Sequence, residues 1–161
     1  MIAQESAVCF GRLERTDGAR LERFFHRLSP ESRYRRFLSP VARPEQAHPE
    51  LLLDVDHHDR EAVVALAGAE IAGVARYARR SGSSSAEVAV VVADEWQRRG
   101  LALRLLQTLA GAARREGVDR FEVLLQGDNL PAVRLLQRFS PGVLFTLQAG
   151  FFEAAFELPL R

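Results

Sequence analysis

Residues 87–102 read EVAVVVADEWQRRGLA, and this stretch decides the fold class. After Glu87 the chain is apolar on both faces as far as Val92 and rich in β-branched residues. That pattern is typical of a strand buried at the centre of a sheet. A short polar loop follows, and apolar residues at helical spacing then predict a long helix over 101–116. The order strand, loop, helix indicates an α/β layer fold.

The rest of the chain alternates between strand and helix patterns. Hydrophobic periodicity and turn residues predict further strands at 7–13, 61–67, 71–79, 121–125, 143–147 and 151–158. Helices are predicted to open at Asp17, to run from Ser29 to about Ser39 and from Pro44 to Leu53, and to run from Asn129 to about Phe139. Antiparallel hairpins come first and a strand–helix–strand unit follows, so we expect a mixed sheet whose strands 87–92 and 121–125 are parallel neighbours.

Length and charge restrict the class of protein. The chain has 161 residues and a net charge of +1, and all 22 of its basic residues are arginine. We therefore expect a single domain over residues 1–161, with no overall field that would attract nucleic acid. No apolar run reaches the ~18 residues of a membrane helix, and the N-terminus lacks a signal-peptide pattern, so we expect a cytoplasmic protein without membrane contact.

The loop before the helix at residue 101 has the features of an anion site. The first turn of a helix carries unpaired N–H groups and the positive end of the helix dipole. Gly100 leaves room for a ligand to approach the backbone, and Arg98 and Arg99 add positive charge at the same place. These features favour a phosphate or diphosphate ligand, and the alternative is an ordinary turn with solvated arginines.

Two motifs resemble the GCN5-related N-acetyltransferase (GNAT) family. Residues 97–102, QRRGLA, are similar to the family signature Q/R-x-x-G-x-G/A, and residues 127–132, GDNLPA, resemble its asparagine-led helix. The resemblance implies a mixed, mostly antiparallel sheet of about six to seven strands flanked by helices. It also implies acetyl-CoA as acyl donor, without a metal. The implied contacts to acetyl-CoA come from Val90, Val91, Val92, Arg98, Arg99, Gly100, Leu101, Ala102, Leu103 and Asn129.

The N-terminal half narrows the resemblance. Residues 28–37, LSPESRYRRF, and 56–61, DHHDRE, are similar to the acetyltransferase domain of Pat-type protein lysine acetyltransferases. That likeness implies direct transfer of acetyl to a primary amine, with a lysine of an acyl-CoA synthetase as one such acceptor. The rival functions are acetylation of a small amine and acyl-CoA sensing without turnover. A homodimer is one assembly that such a domain could adopt.

The resemblance also assigns catalytic groups. Glu87 stands where the Pat-type domains carry a glutamate at the start of the central strand, which implies that it is the general base. We expect its apolar neighbours to desolvate it partly; the alternative is a solvent-facing residue that merely begins the strand. Backbone N–H groups near Val90 to Val92 would stabilise the oxyanion if the strand were splayed. Leu136 replaces the tyrosine that many family members use as general acid.

Other polar groups have simpler interpretations. The cluster at residues 54–59 contains two histidines and three aspartates, but adjacent histidines rarely converge on one ion, and we expect a polar loop. Arg33, Arg35 and Arg36 could stack on nucleic acid, although ion pairs or contacts to the coenzyme fit the balanced charge better. Cys9 lies in an apolar stretch, and we expect a small buried hydrophobe there.

Overall fold

A computed structural model describes residues 7–30 and 53–159 of the chain. The strands within these ranges are β1 (Val8–Arg12), β2 (Arg60–Ala67), β3 (Glu70–Ala78), β4 (Ser85–Val92), β5 (Arg120–Gln126), β6 (Phe145–Gln148) and β7 (Phe151–Glu157). The helices are α1 (Gly18–Arg27), α2 (Leu101–Arg115) and α3 (Leu130–Phe139). The helices predicted over 29–39 and 44–53, and Arg33, Arg35 and Arg36 with them, lie outside the described residues except at their ends.

All seven strands form one mixed sheet in the order β1-β2-β3-β4-β5-β7-β6. Four strands form an antiparallel meander from β1 to β4. The strands β4 and β5 are parallel, joined through α2, and β5 pairs antiparallel with β7. The predicted mixed, mostly antiparallel sheet flanked by helices is therefore confirmed, with β4 at its centre.

Two apolar layers cover the two faces of the sheet. One side packs α2 and α3 against alternate residues of β2 to β5 and β7, around the fully buried Leu105, Leu109 and Phe121. The other side packs α1 against β2 and β3, where Leu21, Phe24 and Phe25 are buried. Because side chains alternate across a strand, each residue of the central strands can be assigned to one of these faces.

At the sheet edges, the expectation for Cys9 was wrong and one predicted strand starts two residues later than expected. Cys9 is exposed because β1 is an edge strand and Cys9 lies on neither packed layer. The strand predicted over 143–147 begins only at Phe145, because the chain first turns at Gly142, whose φ is 89°. Leu144 consequently remains 84% exposed. No helix within residues 7–30 and 53–159 is both long and apolar enough to cross a bilayer.

Candidate active site

The N-terminus of α2 offers unsatisfied backbone donors. The first intrahelical bond runs from Arg104 N–H to Gly100 O at 3.3 Å, so the N–H groups of Leu101, Ala102 and Leu103 have no helical acceptor. No side chain of the described residues caps this end. Gly100 adopts a φ of 78°, and a Cβ there would have no non-neighbouring atom of the described residues within 4 Å. Among the described residues, no side chain therefore blocks the approach of a ligand to the backbone at Gly100.

The two arginines of the loop are placed differently. Arg98 has a positive φ of 64° and is exposed. Arg99 stacks its guanidinium over the ring of Trp96, with 5.0 Å between the guanidinium carbon and the ring centroid. This cation–π contact holds one positive charge beside the start of α2. Together with the free N–H groups and the helix dipole, the loop fits the anionic diphosphate of a coenzyme.

A cleft separates β4 from β5 beyond their first paired residues. The two strands pair only over Ser85–Glu87 and Arg120–Glu122, although β4 continues to Val92 and β5 to Gln126. Strand separation leaves main-chain groups on both inner edges without a ladder partner. This β4–β5 cleft leads from the start of α2 to Glu87, so an extended arm could lie along it.

The register of β3 shows which groups of β4 face the cleft. Ala93 N–H donates to Ala72 O at 2.8 Å, one residue beyond the last register pair of β3 and β4, Gly73 with Val92. Main-chain groups alternate along an antiparallel strand, so Val91 also faces β3, whereas Val90 and Val92 face the cleft. The Val92 carbonyl accepts a bond from Gln97 Nε2 at 3.0 Å. The free donors that suit an oxyanion therefore include Val90 N–H.

Glu87 lies at the inner end of the β4–β5 cleft. Its side chain is exposed, so the expected partial desolvation by its apolar neighbours was wrong. Those neighbours alternate, and Val88 and Val90 point to the opposite, packed face. Burial lowers the pKa of Arg76 on β3, and the negative charge of Glu87 opposes that shift. Arg76 is thus an electrostatic neighbour of Glu87 that sequence reasoning missed, although a lone arginine in an apolar strand was a signal.

Three residues at or near the predicted coenzyme site have structural roles: the predicted coenzyme contact Asn129, Leu136 at the general-acid position, and Tyr77. Asn129 is buried, and its Oδ1 accepts the Ala132 N–H at 3.3 Å, so it caps α3. Leu136 is 1% exposed and packs in the main core, so α3 presents no proton donor there. Tyr77 donates to His58 O at 2.9 Å, and burial, with the nearby Glu61, raises its pKa to about 12. The other tyrosine of the chain, Tyr34, lies outside the described residues.

The polar segment at 54–61 has its own internal partners. His57 Nδ1 lies 2.8 Å from Glu61 Oε1, whereas His58 Nδ1 lies 2.7 Å from Glu116 Oε2 on the other side of the turn. The two imidazoles therefore do not converge. Among residues 7–30 and 53–159 no three histidine, cysteine or carboxylate side chains are grouped so that they could hold a metal ion.

The fold and this cleft define a class of protein. A sequence profile described as the Acetyltransferase (GNAT) family matches residues 21–140 of the chain. The match covers well over half of the chain, including the α2 loop, the β4–β5 cleft and Glu87. The chain therefore belongs to the GNAT family.

Similar proteins narrow the class further. Acetyltransferase Pat of Mycolicibacterium smegmatis is 34% identical over 131 residues, which are 80% of this chain and 38% of that protein. Acetyltransferase PA5475 of Pseudomonas aeruginosa is 35% identical over 109 residues, 65% of this chain and 59% of that protein. The crystal structure of the GNAT domain of S. lividans PAT has a TM-score of 0.82 at 25% identity, covering 98% of this chain and 99% of that one. These relatives confirm the predicted likeness to Pat-type acetyltransferases, and the chain spans less than two thirds of either curated relative.

Proposed function

We propose that this chain transfers an acetyl group from acetyl-CoA to a primary amine, and that the acceptor is a protein lysine in the cytoplasm. The observation that carries the proposal is the β4–β5 cleft, which runs from uncapped helix donors at one end to an exposed carboxylate at the other. Acetyl-CoA use is a property of the GNAT family, and the likeness to Pat favours a lysine, such as one on an acyl-CoA synthetase.

In the proposed binding mode, the N–H groups of Leu101 to Leu103 hold the diphosphate, with Arg98 and Arg99 beside it. The arm of the coenzyme then lies along β4, where Val90 and Val92 present their main-chain groups. A thioester placed at the inner end of the cleft would have its carbonyl oxygen near Val90 N–H. Asn129 adds its Nδ2 to the contacts from the β5 side, because only its Oδ1 is used to cap α3.

Glu87 acts as the general base in this proposal. An alkylammonium has a pKa of about 10 and is almost fully charged at neutral pH, so it must lose a proton before it attacks. Glu87 takes that proton directly or through one water, and the amine nitrogen forms its bond to the acetyl carbon. The carbon–sulfur bond then breaks, and the thiolate leaves with the electron pair. The nitrogen, which is positively charged after its attack, loses its second proton to solvent. Because Leu136 offers no proton, solvent also protonates the departing thiolate.

Release of coenzyme A thiol tests this function. Purified chain is mixed with acetyl-CoA and with a lysine peptide, a folded protein acceptor or a small amine, and thiol is followed with a chromogenic reagent. The chain contains no lysine, so acetylation of its own lysine side chains cannot contribute to thiol release. Mass spectrometry of the acceptor identifies the acetylated product. Release with free amines alone would favour a small-molecule enzyme. Binding without release would favour a sensor, which the buried Leu136 keeps as the second candidate.

The glutamate assignment has its own test. Glu87→Gln should lower kcat by roughly 100-fold or more at neutral pH, because a positioned base typically contributes 10²–10⁴-fold. Its affinity for acetyl-CoA should stay within twofold of the native value. Glu157→Gln, an exposed glutamate on β7, is the matched control and should leave kcat unchanged. An unaltered kcat for Glu87→Gln removes this residue from the mechanism.

A further inference from the structure

Three carboxylates lie together on one face of the sheet beside the cleft. Glu87 and Glu122 are direct partners in the β4–β5 register. Glu153 on β7 is opposite Leu124, two residues along β5 from Glu122. All three side chains are exposed and lie on the face opposite α2 and α3, which we term the carboxylate face.

The carboxylate face has charge that folding does not use. Like charges directly opposite each other destabilise a sheet, yet Glu87 and Glu122 are such a pair. No residue of the described ranges forms an ion pair with Glu122 or Glu153. The same two strands do contain an ion pair, because Arg120 on β5 lies 3.8 Å from Glu157 on β7, but this pair includes neither Glu122 nor Glu153. Glu87 has Arg76 as an electrostatic neighbour on the same face, whereas Glu122 and Glu153 have no such cation among the described residues. Glu122 and Glu153 therefore complement a cationic ligand that approaches this face.

A buried amide without a partner points to a ligand at the same place. Gln126 ends β5 and is 9% exposed, and its Nε2 has no hydrogen-bond partner among residues 7–30 and 53–159. Strand alternation places its side chain on the carboxylate face. Gln126 is opposite Phe151 on β7, and Phe151 is two residues from Glu153 on the same strand. Buried donors in folded proteins are almost always satisfied, so an unsatisfied one beside the β4–β5 cleft suggests that a bound molecule supplies the acceptor.

We propose that the carboxylate face selects acceptor lysines that are flanked by further cationic residues, and that Gln126 donates to a backbone carbonyl of that segment. This inference rests on the proposed function and adds the determinants of acceptor choice. Neighbouring strands lie about 4.8 Å apart, so Glu153 is about 10 Å across the sheet from Glu87. An extended segment rises about 3.3 Å per residue, which places the flanking positive charge within about three residues of the reactive lysine.

The selectivity is measured with two peptides that differ only beside one lysine, with arginine or with glutamine as flanking residues. The ratio of their kcat/KM values is compared between native chain and variants. Glu122→Gln and Glu153→Gln should each lower the preference for the arginine-flanked peptide by about threefold, as expected for an exposed ion pair, and the double variant by about tenfold. Glu157→Gln, whose partner is Arg120, is the control and should preserve the ratio.

The role of Gln126 is measured separately. Gln126→Leu removes a buried, unpartnered amide, so the free protein should melt at the same temperature or higher, while KM for both peptides should rise about fivefold. Gln148→Leu is the control, because Gln148 also pairs with Phe151 and is exposed. A lower melting temperature with unchanged KM would make Gln126 a structural residue and overturn its assignment.

The outcome can be separated from that of the proposed function. Peptide binding is also followed by fluorescence anisotropy in the presence of coenzyme A, which requires no turnover. An unchanged peptide ratio in the double variant, together with normal thiol release, overturns the selectivity alone. Absence of release with every acceptor contradicts the proposed function. In that case the binding measurement still decides whether the carboxylate face takes a cationic ligand. The proposal is supported if the native chain binds the arginine-flanked peptide more tightly and the double variant does not. It is overturned if the native chain binds both peptides equally.

Discussion

Replacing Gly100 with alanine separates ligand approach from backbone strain. Gly100 has a φ of 78°, and in the part of the chain that the structure describes nothing beyond its sequence neighbours would lie within 4 Å of a Cβ there. An L-residue in this left-handed conformation costs roughly 1–2 kcal/mol, so the free energy of unfolding should fall by about that amount. Gly82, with a φ of 81° and equally open surroundings, lies in the β3–β4 turn and carries the same strain. Gly82→Ala is therefore the matched control.

The two variants should differ in their affinity for acetyl-CoA. The new methyl group at residue 100 stands where the diphosphate would approach the N–H groups of Leu101 to Leu103, so Gly100→Ala should raise Kd at least tenfold, or about 1.4 kcal/mol. Gly82→Ala should change Kd less than twofold. Isothermal titration calorimetry measures the affinities, and urea unfolding measures the stabilities. If Gly100→Ala lost stability but bound acetyl-CoA normally, the helix start would not be the diphosphate site.

Two further predictions concern the α3 cap and acid stability. Asn129→Ser keeps an oxygen that can cap α3 but removes Nδ2, so the free energy of unfolding should change little while the affinity for acetyl-CoA falls. Asn129→Ala should lose the same affinity and, in addition, about 1 kcal/mol of stability. Thermal melts measure the stability, and calorimetry measures the affinity. Burial alone would raise the pKa of Asp56, but hydrogen bonds from three backbone N–H groups lower it to about 2. The stability that this carboxylate contributes is present above the ordinary value of 3.8 and is lost as pH falls toward 2. At pH 6 the free energy of unfolding in urea should therefore be larger for the native chain than for Asp56→Asn. The difference between the two free energies should shrink as pH falls from 4 to 2, and a constant difference would contradict this role of Asp56.

Local patterns in the sequence were sufficient for much of the fold. The β-branched run of Val88 to Val92 has no polar face, which identified the central strand before any pairing was known. The spacing of leucines after Gly100 identified α2, and the asparagine-led start of α3 followed from its capping residue. These features depend on residues a few positions apart, and such short-range preferences are readable along one chain.

Other features of the site depend on which strands become neighbours. The closeness of Glu87 to Arg76 depends on the register of the β3–β4 hairpin, and its register with Glu122 depends on β5, which follows β4 only after α2. The length of the β4–β5 pairing is likewise a tertiary property, because both strand patterns continue beyond the last paired residue. The sequence could therefore suggest the base and the helix start but could not reveal the cleft that joins them.

A crystal structure of the chain with coenzyme A is the decisive test of the proposed binding of the coenzyme in the β4–β5 cleft. The diphosphate should lie within hydrogen-bond distance of the backbone N–H groups of Leu101 to Leu103, and the arm should lie between β4 and β5 with its sulfur directed toward Glu87. Coenzyme A bound outside the β4–β5 cleft, or a diphosphate away from the start of α2, would contradict it.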